Sequence, residues 1–351
     1  MPDTQALSLI RELVALPGPP GQEEHVRQFL TERLARFGYH PQTDSKGNLV
    51  VKLPGDPQRP SVVVTAHMDE IALMVTRIEE DGTLKVAPCG GIYPWKWGEV
   101  PIQVLTPQGP LPTILSFGSV HTEHEASPAH QARKGPLEWE KVCLFTGLSP
   151  SELEALGVRP GLRAVLAPSC RVVTEFGNHI AAYFLDDRAD LAVWLLALEA
   201  LAQQPLPQSG PLTFLATTSE EVGGEGARFY LQRQPTDICI ALEIGPKTPE
   251  ANFPINAQPT LWVRDSYAAM EAVDGQLLAA CCQTLGQQPH WQYLSRGGSD
   301  ASCCAANGLV ARPVTLGLPV ENSHGYEIMH RHAPDELLRL LLAYLRAVGE
   351  D

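Results

Sequence analysis

The chain has 351 residues, more than one compact domain usually holds, so two domains are expected. Its formal charge of -14, from 26 basic and 40 acidic residues without a basic run, argues against nucleic acid, which is held by Lys and Arg neutralising phosphates. The 44% hydrophobic content is that of a globular protein, and no apolar run approaches the roughly 20 residues of a membrane span.

The first five residues lack a basic segment followed by an apolar one, so no secretory signal and a cytoplasmic location are expected. Residues 4–16 and 22–38 carry apolar residues at helical spacing (Leu7, Ile10, Val14; Val26, Phe29, Leu30, Leu34), separated by Pro17-Gly-Pro-Pro-Gly21, which cannot continue a helix. Strands are expected at 48–53 and 61–66, the second running into His67-Met-Asp-Glu70. From 71 to 168 short alternating runs separated by Pro and Gly read as an inserted β-rich domain. Helical periodicity returns at 187–203, and a loop follows at 205–211. Strands at 212–217, 238–242 and 313–318 then alternate with helices near 226, 275–285 and 333–348. The expected fold is α/β: a mixed, largely parallel sheet sandwiched by helices, formed by 1–70 plus 169–351, with 71–168 inserted. The eight cysteines have neither zinc-knuckle nor redox spacing and read as small buried residues kept reduced.

The strands point to one site. Leu212-Thr-Phe-Leu-Ala-Thr217 leads to Glu220 and Glu221, 61–66 to His67, and 238–242 to Glu243. Open α/β sheets place their chemistry beyond the carboxyl ends of their strands. With Asp186 or Asp187 before a helix, and with His324, these residues make an imidazole and carboxylate set that suits zinc, cobalt or manganese at a hydrolytic site. Taken singly, each has a plainer reading: His67 as a satisfied polar group, Asp186-Asp187 as a helix cap, Glu220-Glu221 as a solvated turn. Their coincidence at the ends of apolar strands favours the metal site. The 118–125 stretch with His121 and His124 reads as a loop near the subunit interface or pocket, with an extra metal ligand as the alternative, and Asp300 either caps the 300–307 helix or touches a substrate amine.

The segments Ala66-His-Met-Asp-Glu70, Gly90-Gly91, Leu185-Asp-Asp-Arg188, Ser219-Glu-Glu-Val-Gly223 and Gly297-Gly-Ser-Asp-Ala301 hold their order over nearly the whole chain. In them the sequence resembles the metallo-aminopeptidases of peptidase family M42. The resemblance implies two divalent ions per subunit. Asp186 would bridge them, His67 and Glu243 completing one site, Glu221 and His324 the other. It also implies Glu220 as general base acting on a metal-bridged water, Asp69 holding the His67 imidazole in its tautomer, and the 71–168 segment as a dimerisation domain. Three departures stand out: Glu243 where the family usually has Asp, Glu321-Asn-Ser-His324-Gly-Tyr-Glu327 where an Arg usually precedes the histidine, and a 117–145 stretch, carrying His121, His124 and His130, that lacks the family's usual pattern.

The function this implies is hydrolysis of N-terminal residues from peptides. Its rivals are a metal-dependent hydrolase of acylated amino acids or small modified dipeptides, a metal-free glycosidase, and a non-catalytic metal-bound scaffold. A peptide or small amide is the expected partner, with no nucleic acid and no membrane. A homodimer or larger homo-oligomer is expected through the insertion, whose Ile92, Tyr93, Trp95 and Trp97 read as an exposed aromatic and apolar cluster.

Overall fold

The strand Val62–His67 is buried at every position, the pattern of a strand covered on both faces. Alternation sends Val62, Val64 and Ala66 into one hydrophobic cluster and Val63 into another. In the computed structural model, which describes residues 4–206 and 209–350, this strand lies near the middle of an eleven-stranded sheet. Residues 1–3 and 351, and residues 207 and 208 of the expected loop, lie outside the described residues.

Leu212–Thr217, Val62–His67, Ile238–Pro246 and Arg312–Glu321 run parallel in that order. Leu49–Leu53 and Gln42–Thr43 extend the sheet on one side. Glu327–His330, His179–Ala182 and Thr174–Phe176 extend it antiparallel on the other. A branch of Thr260–Arg264 and His290–Tyr293 joins Arg312–Glu321. Pairing of Thr217 with His67 brings two carboxyl ends level, so the turns leaving both strands open on the same edge of the sheet.

Helices Gln5–Val14, Glu24–Arg36, Leu185–Gln203, Ala272–Leu285 and Ala333–Glu350 pack on one face, and Glu225–Leu231 and Asp300–Ala306 on the other. Leu185–Gln203 is buried over most of its length because it lies between the sheet and other helices; its Trp194 is fully buried.

Ala72–Ile78, Leu84–Cys89, Pro101–Thr106, Gly109–Ser116, Cys143–Phe145 and Arg163–Leu166 close into a barrel with its own core, including Leu73, Val86, Ile102, Leu115 and Leu144. Closure removes the exposed edges that such short strands would otherwise leave. The expected exposed cluster at 92–97 divides. Ile92 and Trp97 are buried in the barrel core, while Tyr93 and Trp95 remain exposed and stack at 5.7 Å between centroids.

Barrel and sheet are joined by buried charge. Glu70 takes hydrogen bonds from both Arg171 and Arg188, and all three are buried. Arg171 also donates to the main-chain oxygens of Val14, Leu16 and Leu166, while Arg188 donates to that of Met68 at 2.5 Å. Buried ions survive in apolar surroundings only with such partners. The network fixes the segment between His67 and the first barrel strand.

Candidate metal centre

Asp186 lies between two imidazoles. His67 Nε2 stands 3.0 Å from its Oδ1 and His324 Nε2 stands 3.5 Å from its Oδ2. The other ring nitrogens face main-chain oxygens, His67 Nδ1 that of Asp69 at 3.1 Å and His324 Nδ1 that of Gly91 at 2.8 Å. A nitrogen facing a carbonyl carries the proton in the neutral ring, so each Nε2 is the lone-pair nitrogen. The approach of His324 depends on glycine: a Cβ on Gly91 would stand 3.3 Å from its Nδ1, and one on Gly90 would stand 3.1 Å from Glu221 Oε2.

Donor atoms gather in two groups, each within 4.8 Å: His67, Asp186, Asp187 and Glu243; and Asp186, Glu221 and His324. Asp186 belongs to both. Glu243 sits inside Ile238–Pro246, which runs on past the expected end at 242. Asp187 Oδ2 accepts from the His67 amide at 2.7 Å.

The electrostatics ask for a cation. Burial, then the nearby Asp186 and Glu220, hold the Glu243 carboxyl well above its usual range. Burial, with Asp186 nearby, lifts Glu221 to about 7. Burial opposes charge on His67, but Asp187, Asp186 and Asp69 outweigh it and raise its pKa. Asp186 moves the other way, because hydrogen bonds with His324 and His67 overcome its burial. Such crowding of carboxylates is relieved by divalent cations, and a donor set of imidazole and carboxylate fits them.

The turn after Leu212–Thr217 is held amide by amide. Thr218 N donates to Asn48 Oδ1 at 3.0 Å and Ser219 N to Glu23 Oε1 at 3.2 Å. Glu220 N and Glu221 N donate to Asp69 Oδ1 and Oδ2, at 2.9 and 3.1 Å. The Asp69 carboxylate thus holds this turn, with its Oδ1 at 3.5 Å from His67 Nδ1, while its main-chain oxygen makes the closer contact with the ring. Glu327, to which sequence reasoning gave no role, does comparable work across the site. Its Oε1 accepts from His324 N at 2.9 Å and its Oε2 from Asp186 N at 3.1 Å.

A cleft of about 450 Å³ opens over both groups. Glu220, which belongs to neither, lines it with Glu221, Glu243 and Cys303. Tyr93, Trp95 and Lys96 reach it from the barrel side, and Trp262, Tyr267 and Arg296 from the sheet side. Asp300 does not cap its helix. Ser299 is the cap of Asp300–Ala306, and the Asp300 carboxylate is buried, accepting from Thr217 Oγ1 at 2.6 Å. The 121–130 histidines belong to neither donor group; His130 Nδ1 stands 3.2 Å from Glu123 Oε2.

The chain as a whole is similar to known proteins. The chain is 28% identical to a lysyl aminopeptidase of Pyrococcus furiosus over 67% of its own length and 65% of that protein's. It is 26% identical to a glutamyl aminopeptidase of Lactococcus lactis subsp. cremoris over 91% and 89% of the two chains. Among solved structures, an aminopeptidase of Desulfurococcus kamchatkensis superposes with a TM-score of 0.85 at 25% identity, over 97% of this chain and 94% of that one. The TET1 peptidase of Pyrococcus horikoshii, which can assemble into a tetrahedron or a large octahedral shell, superposes at 0.83 with 22% identity, over 96% and 98%. A model of the M42 glutamyl aminopeptidase matches residues 47–340. The chain belongs to this M42 family of metallo-peptidases.

Proposed function

We propose that the chain is a dinuclear-metal aminopeptidase that removes N-terminal residues from peptides. The observation that carries this is the sharing of Asp186 by two donor groups, with an imidazole Nε2 near each of its oxygens. His67, Asp186 and Glu243 would hold one ion; Asp186, Glu221 and His324 the other. Two bound divalent ions supply Lewis acidity, polarising a carbonyl and making water acidic enough to deprotonate near neutral pH.

Glu220 is the general base in this reading. It lines the cleft outside both donor groups. Burial, with Asp300, Glu221 and Asp69 nearby, strengthens its hold on a proton. A carboxyl so tuned takes the proton of the attacking water and returns it to the leaving amine. Asp69 keeps the turn in place, and the paired main-chain oxygens keep both imidazoles in the tautomer that offers Nε2.

Assembly into a homodimer or a larger shell belongs to the same proposal. The aromatic pair Tyr93 and Trp95 lines the cleft, so the barrel's outer face is the better candidate for the contact. There Ile114 and Phe145 are opposed on neighbouring strands and both exposed.

The test is to strip the protein with a chelator, reload it with zinc, cobalt or manganese, and assay aminoacyl amides with free or acetylated amines. Activity lost on stripping, restored on reloading and confined to free amines supports the reading. Activity indifferent to chelation contradicts it.

A further inference from the structure

The four amides of residues 218–221 are held by side chains from three distant segments: Asn48, Glu23 and Asp69. Glu23 is the contributor from furthest away in sequence. It stands at the N-cap of Glu24–Arg36 and is 3% exposed. Its main-chain oxygen accepts the first helical hydrogen bond, from Arg27 N at 3.0 Å. Its Oε1 accepts from Gly21 N at 2.7 Å, so the carboxylate is pinned on its own side before it reaches across to Ser219. Glu23 also lies outside the 47–340 stretch matched by the family model.

Ser219 needs such a partner. Its φ of 55° is left-handed, a conformation that a residue with a Cβ adopts at a cost. Its amide is also directed into a buried site, where an unpaired N–H is costly. We propose that Glu23 is a positioning residue: by accepting from Ser219 N it holds the left-handed turn that directs Glu220, the next residue, into the cleft. This rests on the reading of Glu220 as the base, but the hold on the turn can be measured without it.

The test compares Glu23→Met, which keeps the bulk of the side chain and removes the acceptor, with Glu23→Gln, which keeps an acceptor oxygen. Hydrogen–deuterium exchange of the metal-loaded protein reads the turn directly. Amides 218–221 should exchange faster in Glu23→Met and at the wild-type rate in Glu23→Gln. On aminoacyl amide substrates Glu23→Met should lose about 10- to 100-fold in kcat, the scale of an ångström's misplacement, with KM and metal content near wild type. Glu23→Gln should restore kcat. In a Ser219→Gly background, where positive φ is tolerated, the same Met change should cost less than about threefold. That background also serves if Glu23→Met alone does not accumulate. Unchanged exchange at 218–221, or faster exchange with wild-type kcat, overturns the proposal, as does an equal loss in both backgrounds. A wild-type protein without peptidase activity would instead overturn the proposed function, leaving exchange to decide whether Glu23 holds the turn.

Discussion

Glu220 and Glu221 are neighbours in sequence but enter different surroundings. Glu221 joins Asp186 and His324 in a donor group, and Glu220 stays outside both groups on the cleft wall. Replacing Glu220 by Gln keeps the shape and removes the proposed base, so kcat should fall by at least about 100-fold. Both ions should stay bound. A variant keeping a tenth of wild-type activity would show that the proton is carried elsewhere. At this scale part of the site was legible: His67, Glu221 and Glu243 follow or occupy apolar strands where an unpaired charge is costly, Asp186 stands at a helix start, and the structure gathers them with His324 in the two groups. Glu327, Glu23 and Asn48 were not, because they act by accepting from main-chain amides far along the chain. A single buried acid at a helix start, such as Glu23, leaves no spacing pattern to read.

At the scale of elements, the parallel strands and long helices were legible because each buries a run long enough to show its period, as Leu212–Thr217 and Ala333–Glu350 do. Glu327–His330, His179–Ala182 and Thr174–Phe176 were missed, since three or four residues are too few for alternation to stand out. The division of 92–97 was also invisible in sequence. Closure of the barrel decides it, turning Ile92 and Trp97 inward and leaving Tyr93 and Trp95 on the cleft. The barrel's outward pair then becomes the place to test assembly. Ile114→Asp with Phe145→Asp puts two carboxylates opposite each other on an apolar contact, where like charges destabilise. Sedimentation at micromolar concentration should show an oligomer for the wild type and a shift toward the 38.2 kDa chain for the double variant. If both sediment alike as oligomers, the contact lies elsewhere.

For the whole molecule, the carboxylate cluster links stability to metal. Burial raises Glu221 from 4.5 to about 7 and Glu327 from 4.5 to about 8. A group whose pKa is higher folded than unfolded stabilises the fold at low pH and loses that contribution as pH rises through its folded value. His67 and His324 are also raised, despite burial, by the carboxylates around them, so they act in the same direction. Asp186, which is lowered, matters only below the ordinary carboxylate range. The chelated protein should therefore melt at progressively lower temperature as pH rises from about 5 to 8. Reloading should flatten this fall, because bound cations favour the ionised carboxylates. Equal slopes with and without metal would mean that these groups do not face an ion. The most direct measurement is elemental analysis of ions per chain in the wild type and in Asp186→Ala. If Asp186 is shared by two ions, the wild type should carry two and Asp186→Ala close to none, while His324→Ala keeps one. An Asp186→Ala protein that retains as many ions as the wild type would contradict a centre built on that carboxylate.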